Sequence, residues 1–285
     1  MIQVLPAGAD DFEEIAPLFD LLNNKLLSRQ DWRALFDYTW PCETKDRGFV
    51  LKDGDRAVGF FGAVWSTREV RGSSHRFCNL STWVTLPEYR NHSLRLFQTV
   101  LALKDCTITC NTVDGRLYAL YRKFGFQDLE TELRLLPTIP PLSILPFGKW
   151  RATSHPATIA DRLKEPERAI FEHHRPHRCG HLLVYSQDTY CYLIHTRMHG
   201  RRASFAHIQY VSHPEIFAQA AGAVRRGLLL ATGTPLVVVP SRLVETLELK
   251  GERPVKLGTP HVFRSPTLQR GDIDNLYSEV LLFGL

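Results

Sequence analysis

Nothing in this 285-residue chain approaches the roughly twenty consecutive apolar residues that a membrane-spanning helix needs. The most apolar run, residues 227–231, is far shorter. Met1-Ile-Gln-Val-Leu carries no basic segment leading into a long apolar one, so no secretory leader is expected. Cysteine pairing is also missing. The six cysteines include no C-x-x-C pair and no spacing that suggests a disulfide framework. They read as reduced, mostly buried thiols of a cytoplasmic protein, with Cys106 and Cys110 sharing parity on one strand and facing one core. Long runs of one charge are absent too. The net charge is +5, and the densest basic pairs, Arg201-Arg202 and Arg225-Arg226, are short. Scattered basic residues of this kind belong to solvated faces, do not call for nucleic acid, and suit a small anionic ligand.

What remains is the composition of a globular protein, 44% hydrophobic and 23% charged. Residues 2–5 read as a strand. Asp10 or Asp11 caps a helix carrying Phe12, Ile15, Leu18, Phe19 and Leu22, and Ser28 opens a second with Trp32, Leu35 and Phe36 as its apolar stripe. Strands at 48–52 and 56–66 meet at Asp53-Gly-Asp, a hairpin turn, and a third runs over 76–86. A helix over 90–103, a strand over 106–111, a helix over 116–124 and a strand over 126–136 follow. Hairpins followed by strand–helix–strand predict an α/β protein with a mixed α+β sheet. Pro137-Thr-Ile-Pro-Pro-Leu-Ser-Ile-Leu-Pro146 excludes regular structure and separates a first domain, 1–137, from a second, 151–285, through a packed linker, 138–150.

The second part repeats the order. A helix is expected over 157–168, strands over 181–186, 190–198 and 203–211, a helix over 214–231, a strand over 236–239, a short helix over 241–247 and a terminal strand over 277–283. Trp83-Val-Thr-Leu-Pro-Glu88 and Tyr210-Val-Ser-His-Pro-Glu215 end corresponding strands, and both read aromatic, Val, hydroxyl, any, Pro, Glu. That echo points to a tandem duplication. Trp65, Trp83, Tyr190 and Tyr192 are expected in the cores.

The stretch 80–126 carries the chemistry. A strand running into a helix offers backbone N–H groups suited to phosphate. Its lead-in is Pro87-Glu88-Tyr89, followed by Arg90-Asn91-His92-Ser93-Leu94-Arg95, and the stretch closes on Tyr121-Arg-Lys-Phe-Gly125-Phe126. On these two motifs and its element order, the first half, about residues 2–136, resembles the GNAT superfamily of acyl-CoA-dependent N-acyltransferases. The first motif in that family is R/Q-x-x-G-x-G/A. Arg90 matches it, while Ser93 and Arg95 replace both glycines that permit close backbone approach to a pyrophosphate. A serine hydroxyl and an arginine are themselves suited to phosphate. The Tyr-x-x-x-Gly-Phe ending is intact.

The resemblance implies two tandem GNAT-like domains, the second degenerate, and acetyl-CoA as the cosubstrate. It implies an oxyanion-holding backbone N–H near Val84 or Leu86, coenzyme A contacts over Arg90, Asn91, His92, Ser93, Leu94 and Arg95, and Tyr121 as the acid that protonates the leaving thiolate. The general base is open, with Glu43, Glu88 and His75 as positional candidates. The second half has neither motif, so an acceptor-shaping role is expected for it. The polar run Glu172-His-His-Arg-Pro-His-Arg-Cys-Gly-His181 lacks metal-site spacing, so no metal is expected, and His174 and His177 are candidates to touch the acceptor. The expected activity is transfer of a short acyl group to a small primary amine. Two alternatives remain: aminoacyl-tRNA-dependent transfer on the same fold, and a non-catalytic binding protein.

Overall fold

The structure, a computed structural model, describes residues 1–138, 148–200 and 203–285. The proline-rich linker therefore lies outside the described residues over 139–147. The chain divides into two compact units. The first gathers Met1–Leu129, His261–Asp272 and Tyr277–Phe283, and the second Glu130–Pro260, Ile273–Leu276 and Gly284–Leu285.

In the first unit, β1 (Ile2–Ala7) is followed by α1 (Phe12–Phe19) and α2 (Arg29–Asp37). Ser28 and Asp31 close a capping box at the start of α2, each side chain accepting from the other's backbone N–H. The antiparallel strands β2 (Gly48–Asp53), β3 (Arg56–Val70) and β4 (Ser73–Thr85) then pair in order. A 3-10 helix, Pro87–His92, leads straight into α3 (Ser93–Leu101). The helix expected over 90–103 thus begins later, after a turn with proline at its first position. Next come β5 (Cys106–Cys110) and α4 (Gly115–Lys123). Gly125, just past the end of α4, takes φ +82, a C-terminal conformation natural to glycine.

Alternation along β3 fills both faces of this sheet. Phe61 stacks on Trp83 and packs with Phe97, Tyr121 and Phe126 in the core beneath α3 and α4. Its neighbour Phe60 points the other way, to Phe19 and Phe36 on α1 and α2.

In the second unit, β6 (Gln127–Pro137) ends where Leu133–Pro137 pairs antiparallel with β11 (Leu236–Pro240). Between them lie β7 (Arg151–Thr153), α5 (Pro156–Arg162), α6 (Glu167–His174), β8 (Gly180–Tyr185), β9 (Tyr190–His199), β10 (Ser204–Val211), α7 (Pro214–Gln219) and α8 (Ala221–Thr232). The single helix expected over 157–168 is two, because Pro166 interrupts it. Tyr192 is fully buried, whereas Tyr190 is half-buried and lines an open cavity of about 580 Å³ with Arg162, Lys164 and His213. At the heart of this unit Arg242 and Glu130 form a buried ion pair at 3.0 Å. Arg242 also donates to the Ile273 carbonyl at 2.9 Å and to Asn275, which donates to Gln209 at 2.6 Å.

Two elements depart from expectation. β12 (Arg253–Arg264) was not visible in the sequence, since Pro254, Gly258 and Pro260 read as breakers and its first residues are exposed. Its end, Val262–Arg264, pairs antiparallel with Ile108–Cys110 of β5 in the first unit. The terminal segment expected as a strand over 277–283 is instead a short helix, α9 (Glu279–Phe283). All five of its residues are buried, so it has no amphipathic period, and a short apolar run is ambiguous between helix and strand.

The two units repeat one strand plan. In the first, β4 and β5 are parallel neighbours, and an antiparallel strand end lies beyond β5. In the second, β10 and β11 are parallel neighbours, and β6 lies beyond β11. Both first strands carry a bulge just after the parallel pairing stops, near Leu80–Trp83 on β4 and at Gln209 on β10. The two six-residue echoes of the sequence begin at those bulges.

Candidate active site

The site is built on the fork between β4 and β5. Their pairing runs from Arg76↔Cys106 to Asn79↔Thr109 and stops, while β4 continues to Thr85. The bulge opposite Gly62 falls at this point and bends β4 away. Beyond it the ladder fixes which backbone groups are free. Leu86 N–H donates to the Val58 carbonyl at 2.9 Å, and Val84 lies opposite Phe60 in the same register. Hydrogen-bonded pairs alternate along an antiparallel ladder, so Val84 and Leu86 direct their N–H groups to β3. The groups turned to the open side of the fork belong to Trp83 and Thr85. The N–H groups of Val84 and Leu86, expected to hold the oxyanion, thus face β3, and those of Trp83 and Thr85 do not.

The next segment follows the fork on the same chain. Arg90 and Asn91 are exposed and His92 is half-buried in the 3-10 turn. Ser93 N–H donates back to the Arg90 carbonyl, and the Ser93 hydroxyl lies 3.0 Å from that of Thr85. Leu94 is exposed. The exposed Arg95 donates to the Ile2 carbonyl at 3.0 Å, which draws its charge toward β1.

Tyr121 lies inside the fork's core. It is 3% exposed and packs edge-on against Phe97 and Phe126. Burial drives its phenol far above the ordinary value, with the Cys110 thiol and the Glu279 carboxyl adding to the rise. Glu279, at the first position of α9, is the residue that the sequence reading missed. It is 1% exposed. Its N–H donates to Asn79 Oδ1 at 2.9 Å, and Asn79 Nδ2 donates to Thr109 Oγ1 at 3.0 Å. Asn79 thus ties α9 to the last paired rung of the fork. Thr112 Oγ1 donates to Glu279 Oε1 at 3.0 Å, while Oε2 meets no donor among the described residues. Burial raises this carboxyl to about 7, against the pull of Thr112, Asn79 and the Asn111 backbone. Asn111 Oδ1, just after β5, is also buried without a partner among the described residues. A lone glutamate in the apolar run Tyr277-Ser-Glu-Val-Leu-Leu-Phe283 is the signal that a sequence offers for such a group.

The positional candidates for a base lie elsewhere. Glu43 is exposed and paired with Arg76 at 3.3 Å, Glu88 is exposed, and His75 stands opposite Arg68 near the far end of β4.

No family model matches this sequence, and no curated protein matches it either. Solved structures do match. A conserved protein of Enterococcus faecalis aligns at TM-score 0.60 and 13% identity over 95% of this chain and 74% of that one. The GCN5-related N-acetyltransferases of Anabaena variabilis (TM-score 0.59, 13% identity, 92% and 72%) and Kribbella flavida (0.57, 15%, 93% and 71%) align similarly. This chain has the GCN5-related N-acetyltransferase fold. The mixed-sheet class and the resemblance read from residues 80–126 both hold.

In the second unit, the histidine-rich segment is packed rather than displayed. His174 is fully buried, its Nδ1 lies 2.7 Å from the Ile170 carbonyl, and burial lowers it to about 3, so it is neutral. His177 is half-buried. The structure therefore does not bring His174 and His177 together on an accessible surface. A cavity of about 620 Å³ is lined instead by Ser154, Phe171, Arg175, His181 and His195. Among the described residues no cluster suits a metal ion.

Proposed function

We propose that this protein is an acyl-CoA-dependent N-acyltransferase that moves an acetyl or other short acyl group to a primary amine of a small acceptor. The observation that carries this reading is the fork. Past Asn79, β4 presents the N–H groups of Trp83 and Thr85 on a side without a neighbouring strand among the described residues. A bare strand edge pairs with extended amide chains, and the pantetheine arm of coenzyme A is one. The Arg90 guanidinium and the His92 ring N–H follow on the same segment as donors suited to its phosphates. Bound there, acetyl-CoA would supply an activated thioester carbonyl. Trp83 or Thr85 N–H would stabilise charge on its oxygen, and Tyr121 would hydrogen-bond the departing sulfur. We assign the first unit to the cosubstrate and the second, which lacks both motifs, to shaping the acceptor pocket.

The second reading is a binding protein without turnover, favoured by the enclosure of Tyr121 and by the tie of Arg95 to β1. Calorimetric titration with acetyl-CoA separates this proposal from loss of the cosubstrate. Binding with a micromolar dissociation constant is expected, together with coenzyme A release when a panel of small amines is added. Absence of binding at millimolar acetyl-CoA rejects the proposal. Binding without coenzyme A release across the panel favours the second reading.

A further inference from the structure

We infer that Glu279 Oε2 and Asn111 Oδ1 form the subsite that receives the acceptor amine, and that Glu279 is the general base. This rests on the acyltransferase reading and adds the residue it left open.

The argument starts from unmet hydrogen bonds. A buried acceptor without a donor is costly, and native proteins keep few of them. Two such atoms among the described residues are Glu279 Oε2 and Asn111 Oδ1, both buried without a donor, and the Asn111 backbone lies against the Glu279 carboxyl. Glu279 is fixed by Asn79, the last β4 residue paired with β5, and by Thr112, while Asn111 directly follows β5. What these oxygens lack is a donor with several hydrogens, and a primary amine or ammonium is one. The same fork exposes the Trp83 and Thr85 N–H groups assigned to the thioester.

The surroundings of Glu279 suit proton transfer. Cys110 faces it from β5 and Tyr121 from α4, both held neutral by burial. β4 adds Asn79 and the buried Cys78 thiol. α2 packs on α9 through Trp32 and Phe283, and its Arg33 and Asp37 pair with each other at the surface. No cation among these clamps the carboxylate, so it can both take and return a proton. The nitrogen lone pair forms the new C–N bond. The C–S bond breaks, and its electron pair leaves with sulfur. Glu279 Oε2 takes the proton that nitrogen sheds and returns it to the thiolate, so the reaction consumes one neutral amine and releases one amide and one thiol. A carboxyl near 7 is more acidic than a free thiol at about 8.5, so the return runs downhill.

The test uses the full chain and Glu279→Gln, with ethylamine as the probe. Infrared difference spectra, wild type minus variant, report the Glu279 carboxyl directly. Its protonation midpoint should lie near 7 and fall by at least about tenfold in proton affinity when ethylammonium chloride is added. An unmoved midpoint overturns the inference whether or not acetyl-CoA binds. If turnover is detected, the variant should lose on the order of 10²–10⁴-fold in kcat/KM with ethylamine. It should also lose the rising limb near pH 7 and keep acetyl-CoA affinity. A limb that persists, or an unchanged kcat/KM, overturns the base assignment and leaves the acyltransferase proposal standing. Failure to bind acetyl-CoA rejects that proposal and the base assignment with it, while a shifted midpoint would still show the amine subsite.

Discussion

Glu279 is a residue whose environment works against its charge, and that has a consequence for stability as well as chemistry. Its carboxyl sits near 7 when folded, against an ordinary value of 4.5. The native state therefore keeps a proton that the unfolded chain releases in this window. Stability from this group falls as pH rises from about 4.5 to about 7, and the penalty is complete above that. Glu279→Gln removes the penalty. Urea midpoints should coincide near pH 4.5 and diverge by pH 8, the variant being more stable by up to about 3 kcal/mol. Identical pH dependence would mean that Glu279 titrates normally. The expected stabilisation accompanies an expected loss of turnover, as is common where a site holds an unfavourable group. Tyr121 was legible from its motif, but the enclosure of its hydroxyl was not, since burial depends on Cys110 and α9, far away in sequence.

Elements with a clear period or cap were legible: the apolar stripe of α1, the capping box of α2, the turn at Gly54 and the stop at Gly125. Those set by tertiary surroundings were not. β12 carries breakers and draws its place from β5, and α9 is helical because every side of it is buried. The bulge on β4 also escaped, although it decides which N–H groups face the fork. Pairing of charges inside a core is equally hidden. Glu130 lies on β6 and Arg242 just after β11, and neither flanking sequence marks it as buried. Arg242→Met would remove the buried cation from beside Glu130, at a cost of about 3–5 kcal/mol in thermal or urea unfolding. Adding Glu130→Leu should recover most of that loss, because an apolar pair avoids the desolvation of two ions. A double variant no better than the single would show that the network with Asn275 and Gln209, rather than the ion pair, sets the cost.

At the scale of the whole molecule, the chain's compact units are not its two halves. The first unit takes in His261–Asp272 and Tyr277–Phe283. Those segments supply Val262, Phe263, Leu281, Leu282 and Phe283, each no more than 5% exposed. Burying a side chain of this size contributes about 1.5–3 kcal/mol. Together the five are comparable to the entire stability of a domain, about 5–15 kcal/mol. A chain of residues 1–137 should therefore lack a cooperative unfolding transition, even though it holds both recognisable motifs. It would also leave the outer edge of β5 bare and Asn79 Oδ1 without its donor. Joining residues 261–283 to it through a flexible linker should restore a cooperative urea transition, because the missing contacts require proximity rather than the intervening sequence. Cooperative unfolding of residues 1–137 alone would instead show that β12 and α9 are additions to a unit that is already complete. The proposed base would then lie on a dispensable segment, and the first unit should bind acetyl-CoA without it.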